Sequence, residues 1–129
     1  MIQSTAFDYV NLLDKAADAS WTRESVIANN LANVDTPGYK RQDLDFETLL
    51  KKELGHSKFT SLDEKVASAD LSKLTPTVKT DYAGYSYRLD GNNVDIDTES
   101  VELASEQLKY QALTTGIQKE FARMKSVIK

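Results

Sequence analysis

Asp90, Asn92, Asp95 and Asp97 place four oxygen-bearing side chains in a short stretch, the ligand type that a calcium loop uses. Set against the pattern D-x-[DN]-x-[DN]-G, the stretch fails. Counted from Asp90, the fifth position is Val94 and the sixth is Asp95 rather than Gly. A turn over Asp90-Gly91-Asn92-Asn93, followed by a helix N-cap at Asp97, accounts for the same residues without an ion. His56 is the single histidine and lies between Gly55 and Ser57 in a polar stretch. Catalysis or metal binding needs companions within reach, and no motif surrounds it. The chain has no cysteine, which excludes disulfides, thiolate zinc sites and a cysteine nucleophile. It carries no G-x-S-x-G, P-loop, G-x-G-x-x-G or H-E-x-x-H pattern. These residues point to no enzyme, no cofactor, no metal and no small-molecule substrate.

Amide chemistry is the exception. Asn29, Asn30 and Asn33 fall within an otherwise helical run, although Asn competes for backbone groups and forms helices poorly. Three amides there are expected to make side-chain contacts near a helix end. Asp35-Thr36-Pro37-Gly38-Tyr39 then stops the helix. Pro37 disfavours a helical Thr36, and Pro-Gly suits the two central positions of a type II turn. With Lys40 and Arg41 at the exit, the segment reads as a docking element.

Two long helices must position this turn. Val10, Leu13, Ala17, Trp21, Ile27, Leu31 and Val34 recur at helical spacing, and Leu12 and Ala16 widen the stripe, predicting a helix over 7–34. A second helix is expected over 97–129, with Asp97 as N-cap and Ile96 and Val101 as a hydrophobic staple. Its acidic start and basic end complement the helix dipole. Tyr110, Leu113, Ile117, Phe121, Met124 and Ile128 form one seam; Val101, Ala104, Leu108, Ala112 and Thr115 form a smaller-residue stripe. Two stripes imply two packing partners. Gly116 permits a close helix approach or is simply a tolerated exposed Gly.

The middle, 35–96, reads as loop-rich. A short helix is expected over Phe46–Leu54, loop with marginal helix near 63–69 over 56–76, and a small β-hairpin from Thr77–Thr80 and Tyr85–Leu89. Tyr82, Tyr85 and Tyr87 either line a subunit contact or pack that hairpin. Trp21 and Tyr110 read as core or interface. The whole is a single mainly α unit of 129 residues: long N- and C-terminal helices paired coiled-coil-like within and between subunits, around a loop-rich middle.

The formal net charge of −4 argues against a nucleic-acid partner. Lys40-Arg41, Lys51-Lys52 and the C-terminal basic turn read as solvated faces or helix-end charges. No apolar run reaches the ~18 residues of a membrane span, and the first residues lack the basic and apolar regions of a cleavable secretory signal. Each long helix carries more apolar surface than one partner covers, so a helical assembly with repeated, non-closing contacts is expected.

The run A-N-N-L-A-N-V-D-T-P-G-Y-K-R at 28–41, its continuation Gln42-Asp43-Leu44-Asp45-Phe46-Glu47, and the D-G-N-N-V-D-I-D block at 90–97 resemble the flagellar axial proteins, the rod and hook subunits of the bacterial flagellum. The resemblance is greatest to basal-body rod subunits of the cell-proximal end, and covers both chain ends but not 55–81. It implies a structural subunit of the periplasm-spanning rod that transmits torque for motility. It also implies passage through the flagellar type III export apparatus without a cleaved signal. The partners it implies are other rod subunits, the basal-body adaptor subunit and the MS-ring and export-gate region. Asn29, Asn30, Asn33, Asp35, Pro37, Gly38 and Tyr39 are the family motif; Val101, Ala104, Leu108 and Ala112 are the expected interface. Another rod subunit of the same family, or a soluble helical export chaperone or adaptor, is the alternative. A wall-cutting enzyme would need a second domain with a carboxylate cleft, for which this chain has no room.

Overall fold

A computed structural model describes residues 6–82 and 88–128. Helix α1 spans Ala6–Ala32 and helix α4 spans Ile96–Val127, roughly 40 and 48 Å at ~1.5 Å per residue. Between them lie β1 (Gln42–Asp43), α2 (Phe46–Gly55), α3 (Leu62–Ser68), a 3-10 turn (Leu71–Lys73) and β2 (Lys79–Thr80). The two long helices make the principal contact and run antiparallel: Leu13 approaches Gly116, Arg23 reaches Glu102 and Glu106, and Asn30 reaches Glu99.

The middle is more folded than its polar composition suggests. Phe46, Leu49, Leu50, Leu71 and Leu74 pack on Leu12, Ala16 and Ala19 of α1. Helix α1 is therefore covered by α4 on one side and by the α2–Leu74 segment on another. Local capping starts each short element. Asp45 accepts from Thr48 N, Ser61 from Glu64 N and Asp70 from Ser72 N, each satisfying an otherwise orphaned helix donor.

Three expectations require correction. Helix α1 ends at Ala32, two residues before Val34. The N-cap of α4 is Asp95, whose carboxylate accepts from Asp97 N and Thr98 N. Asp97 is thus helical, and Ile96 and Val101 are 54% and 68% exposed rather than stapled. Lys79–Thr80 pairs antiparallel with Gln42–Asp43, in the register Gln42 with Thr80 and Asp43 with Lys79. Residues 85–87 of the expected hairpin lie outside the described residues, and Leu89 lies in a turn.

The apolar seam of α1 is otherwise as the spacing predicts. Val10, Ala17 and Ile27 are buried, and Leu12, Leu13 and Leu31 half-buried. Trp21 departs from it: its ring meets Tyr110 with centroids 5.6 Å apart, yet it is 59% exposed.

Candidate functional site: an amide and guanidinium latch closing the helix pair

Helix α1 ends in a turn with the geometry that Pro-Gly dictates. Tyr39 N donates to Thr36 O at 3.2 Å across the turn, and Gly38 has φ +73°, a conformation that L side chains rarely adopt. From the other side, the Asp90–Asn93 loop holds this turn. Gly38 N donates to Asp90 O at 2.6 Å, Asn93 N to Tyr39 O at 3.3 Å, and Lys40 Nζ to Gly91 O.

The amides complete the closure. Asn30 is fully buried and uses both ends of its side chain. Its Nδ2 donates to Gln42 O at 2.8 Å and Glu99 Oε2 at 3.2 Å; its Oδ1 accepts from Gln42 N at 2.9 Å and the Tyr39 hydroxyl at 3.0 Å. Asn29 donates to that same hydroxyl at 3.1 Å. Asn33 donates to Asn29 O at 2.8 Å and accepts from the Thr36 hydroxyl at 3.1 Å. Asn92, also fully buried, directs its amide at Asn33 O, Val34 O and Thr36 O, all at 2.9–3.0 Å. Carbonyls in the turn beyond a helix end need donors, and Asn92 supplies them at three points from a distant part of the chain. Asp35, Pro37 and Gly38 themselves remain exposed.

Below the amides, two guanidinium groups join α1, β1 and α4. Arg23 donates to both oxygens of Asp43 at 2.8 and 3.2 Å, to Glu102 at 3.0 Å and to Glu106 at 3.0 Å. Arg41 donates to Asp81 at 2.7 Å, to Asp43 at 3.2 Å and to Glu99. Glu99 and Glu106 are 1% and 2% exposed. Burial alone would push Asp43 up. Its hydrogen bonds from Arg23, the Leu44 amide and Arg41 outweigh that and hold its carboxyl below the usual carboxylate range. Burial works against charge on Arg41 as well, and its carboxylate partners more than restore it. Every buried side-chain nitrogen and oxygen among the described residues has a partner.

Arg41 is therefore a half-buried anchor, which corrects its reading as a solvated helix-end charge. Arg23, Asp43, Asp81, Glu99, Glu102 and Glu106 escaped the sequence reading because carboxylates are common in an acidic chain. A signal did exist: Glu102 and Glu106 stand four residues apart on the line that continues through Tyr110, Leu113 and Ile117. Three of the calcium-like residues, Asp90, Asn92 and Asp95, are engaged within the fold. Asp90 accepts from Asn92 N and Arg88, and Asp95 caps α4. No group of three metal-ligating side chains converges among the described residues. His56 is exposed.

The stripe Val101, Ala104, Leu108 and Ala112 lies entirely on the outward face of α4. From Ser100 to Gln118 every exposed position of α4 is uncharged, whereas Glu102, Glu106 and Lys109 turn inward, Lys109 onto Glu47.

A helical hairpin sealed at one end by a polar latch, with an uncharged outer face, defines a class of structural helical subunit. The sequence signature described as flagella basal body rod protein matches residues 16–40, the second half of α1 through the turn. The flagellar basal body rod protein FlgB of Bacillus subtilis is 35% identical over 117 residues, covering 90% of this chain and 89% of the relative. Those of Escherichia coli K12 and Borrelia hermsii are 34% and 32% identical, covering 82% and 93% of this chain and 82% and 95% of their own. The chain belongs to the flagellar basal body rod protein family, with the proximal rod proteins.

Proposed function

We propose that this structural rod subunit is held in the flagellar basal body by its α4 outer face, which packs against helices of neighbouring subunits. The observation that carries the reading is the inversion of α4. A helix that exposes Val101, Ala104, Leu108 and Ala112 while turning Glu102, Glu106 and Lys109 inward leaves its uncharged side for something other than water. Small residues there let a second helix approach closely. The partners are other rod subunits, further copies of this chain, and the adaptor, MS-ring and export-gate components beneath them. The subunit reaches the periplasm-spanning rod through the flagellar type III apparatus, transmits torque, and performs no bond chemistry. No helix among the described residues is long and apolar enough to cross a membrane.

Ala104→Arg and Ala112→Arg test the reading. Each places a charge where a packed neighbour would strip its water, at a cost of several kcal/mol in the assembly, while the isolated chain keeps its helix content and melting temperature. Motility should be lost with export intact. Normal swimming by both strains would show that this face meets solvent in the rod.

A further inference from the structure

We propose that the guanidinium–carboxylate ladder of Arg23 and Arg41 is a register lock, which fixes the axial position of α4 against α1 where the apolar contacts cannot. This inference stands independently of the assembly reading.

The apolar half of the interface is degenerate. On α4, Tyr110, Leu113, Ile117, Phe121 and Met124 repeat at three- and four-residue steps. Sliding α4 by one turn in one direction replaces Gly116 opposite Leu13 with Ala112 or Leu113, still apolar, and apolar attraction has no direction with which to object. Gly116, facing Leu13, adds no side chain that would interlock.

The ladder is not degenerate. A planar guanidinium presents its donors in a rigid fork, and hydrogen bonds fail within about an ångström of misplacement. A one-turn slip moves α4 by ~5.4 Å. Arg23 would then face Thr98 and Glu102, or Glu106 and Tyr110, in place of Glu102 and Glu106. Asn30 and Arg41 would lose Glu99 to Asp95 or Leu103. In the first case Thr98 offers Arg23 a hydroxyl for a carboxylate and Asp95 stops a methylene short of Glu99; in the second, Tyr110 and Leu103 offer no carboxylate, so only the native register satisfies both guanidinium groups. Buried ion pairs are poor sources of net stability, and fixing register is their best-attested role.

The absence of cysteine makes the test clean. Nitroxide labels at Asn11→Cys and Ser105→Cys, both exposed and far apart along the axis, report the helix offset as a distance. The labelled parent should give one distance. Replacing both rungs by apolar side chains, Arg23→Met with Glu102→Leu and Glu106→Met together with Arg41→Met and Glu99→Met, should keep helicity while adding distances displaced by about one helical turn, ~5 Å. A single unshifted distance in a folded variant would overturn the proposal. Should that variant fail to fold, Arg23→Lys with Arg41→Lys keeps the charges, removes the rigid forks and applies the same criterion. Loss of helix in both would assign the ladder to stability instead of register, and would overturn it equally.

Discussion

The two ends of the α1–α4 pair are built from opposite materials. At the turn end polar side chains are as buried as the apolar Ile27: Asn30, Asn92, Glu99 and Glu106 are all within 2% of fully covered. At the far end Val10 is buried but large apolar side chains beside it stay exposed: Phe7 and Phe121 each by 51%, and Ile128 by 75%. The same two helices thus close on buried hydrogen-bonding groups at one end and end in exposed aromatic and aliphatic side chains at the other. Within a single subunit, specificity is concentrated at the turn, where every donor must find its acceptor. The far end has apolar area left over, the condition of a surface that is covered on assembly.

That contrast can be broken most forcefully at the turn end. Arg41→Ala leaves Glu99 buried without its counter-charge, and is expected to cost about 3 kcal/mol or more of stability, read from chemical denaturation. A loss below 1 kcal/mol would mean that Glu99 rehydrates and the latch is ornamental. Gly38→Val forces a β-branched residue to positive φ, at a cost of about 1–3 kcal/mol. Because Gly38 N bonds Asp90 O, hydrogen exchange should quicken at Gly38 and Asn93 while the centre of α1 stays protected.

Acid sharpens the comparison more gently. The folded Asp43 carboxyl lies below its unfolded value of about 4. Its contribution is therefore complete above about pH 4 and is lost as pH falls through the folded value. Asp43→Asn should flatten that slope, measured as unfolding free energy between about pH 5 and 2. Smallest of all, Phe121→Ser at the far end should change the isolated chain by no more than about 0.5 kcal/mol, yet impair motility. A large stability loss from that substitution would erase the distinction between the ends.

Periodicity alone revealed both long helices, because each is long enough for its 3.6-residue pattern to dominate. Pro37-Gly38 announced its turn through backbone restrictions that act locally. What escaped was non-local. Nothing near Asn92 in sequence indicates that its amide serves carbonyls at Asn33, Val34 and Thr36. Arg41 looked solvated because its partners, Asp81 and Glu99, stand 40 and 58 residues away. Asp97 and Asp95 are equally good N-caps by type, and the choice of Asp95 coincides with burial of Val94 directly before it. Leu71 and Leu74 lay hidden in a polar stretch because two leucines carry no period.

Trp21 has a spectroscopic consequence. It is the single tryptophan, more than half exposed, and borders a groove with Ser25, Ala28, Leu103 and Gln107 between the two long helices. Its indole emission is that of a largely hydrated ring in the free subunit. Any neighbour that settles into the groove must displace that water and shift the emission to shorter wavelength. The chain therefore carries its own optical gauge of being joined, readable without a label and at the dilutions where assembly begins.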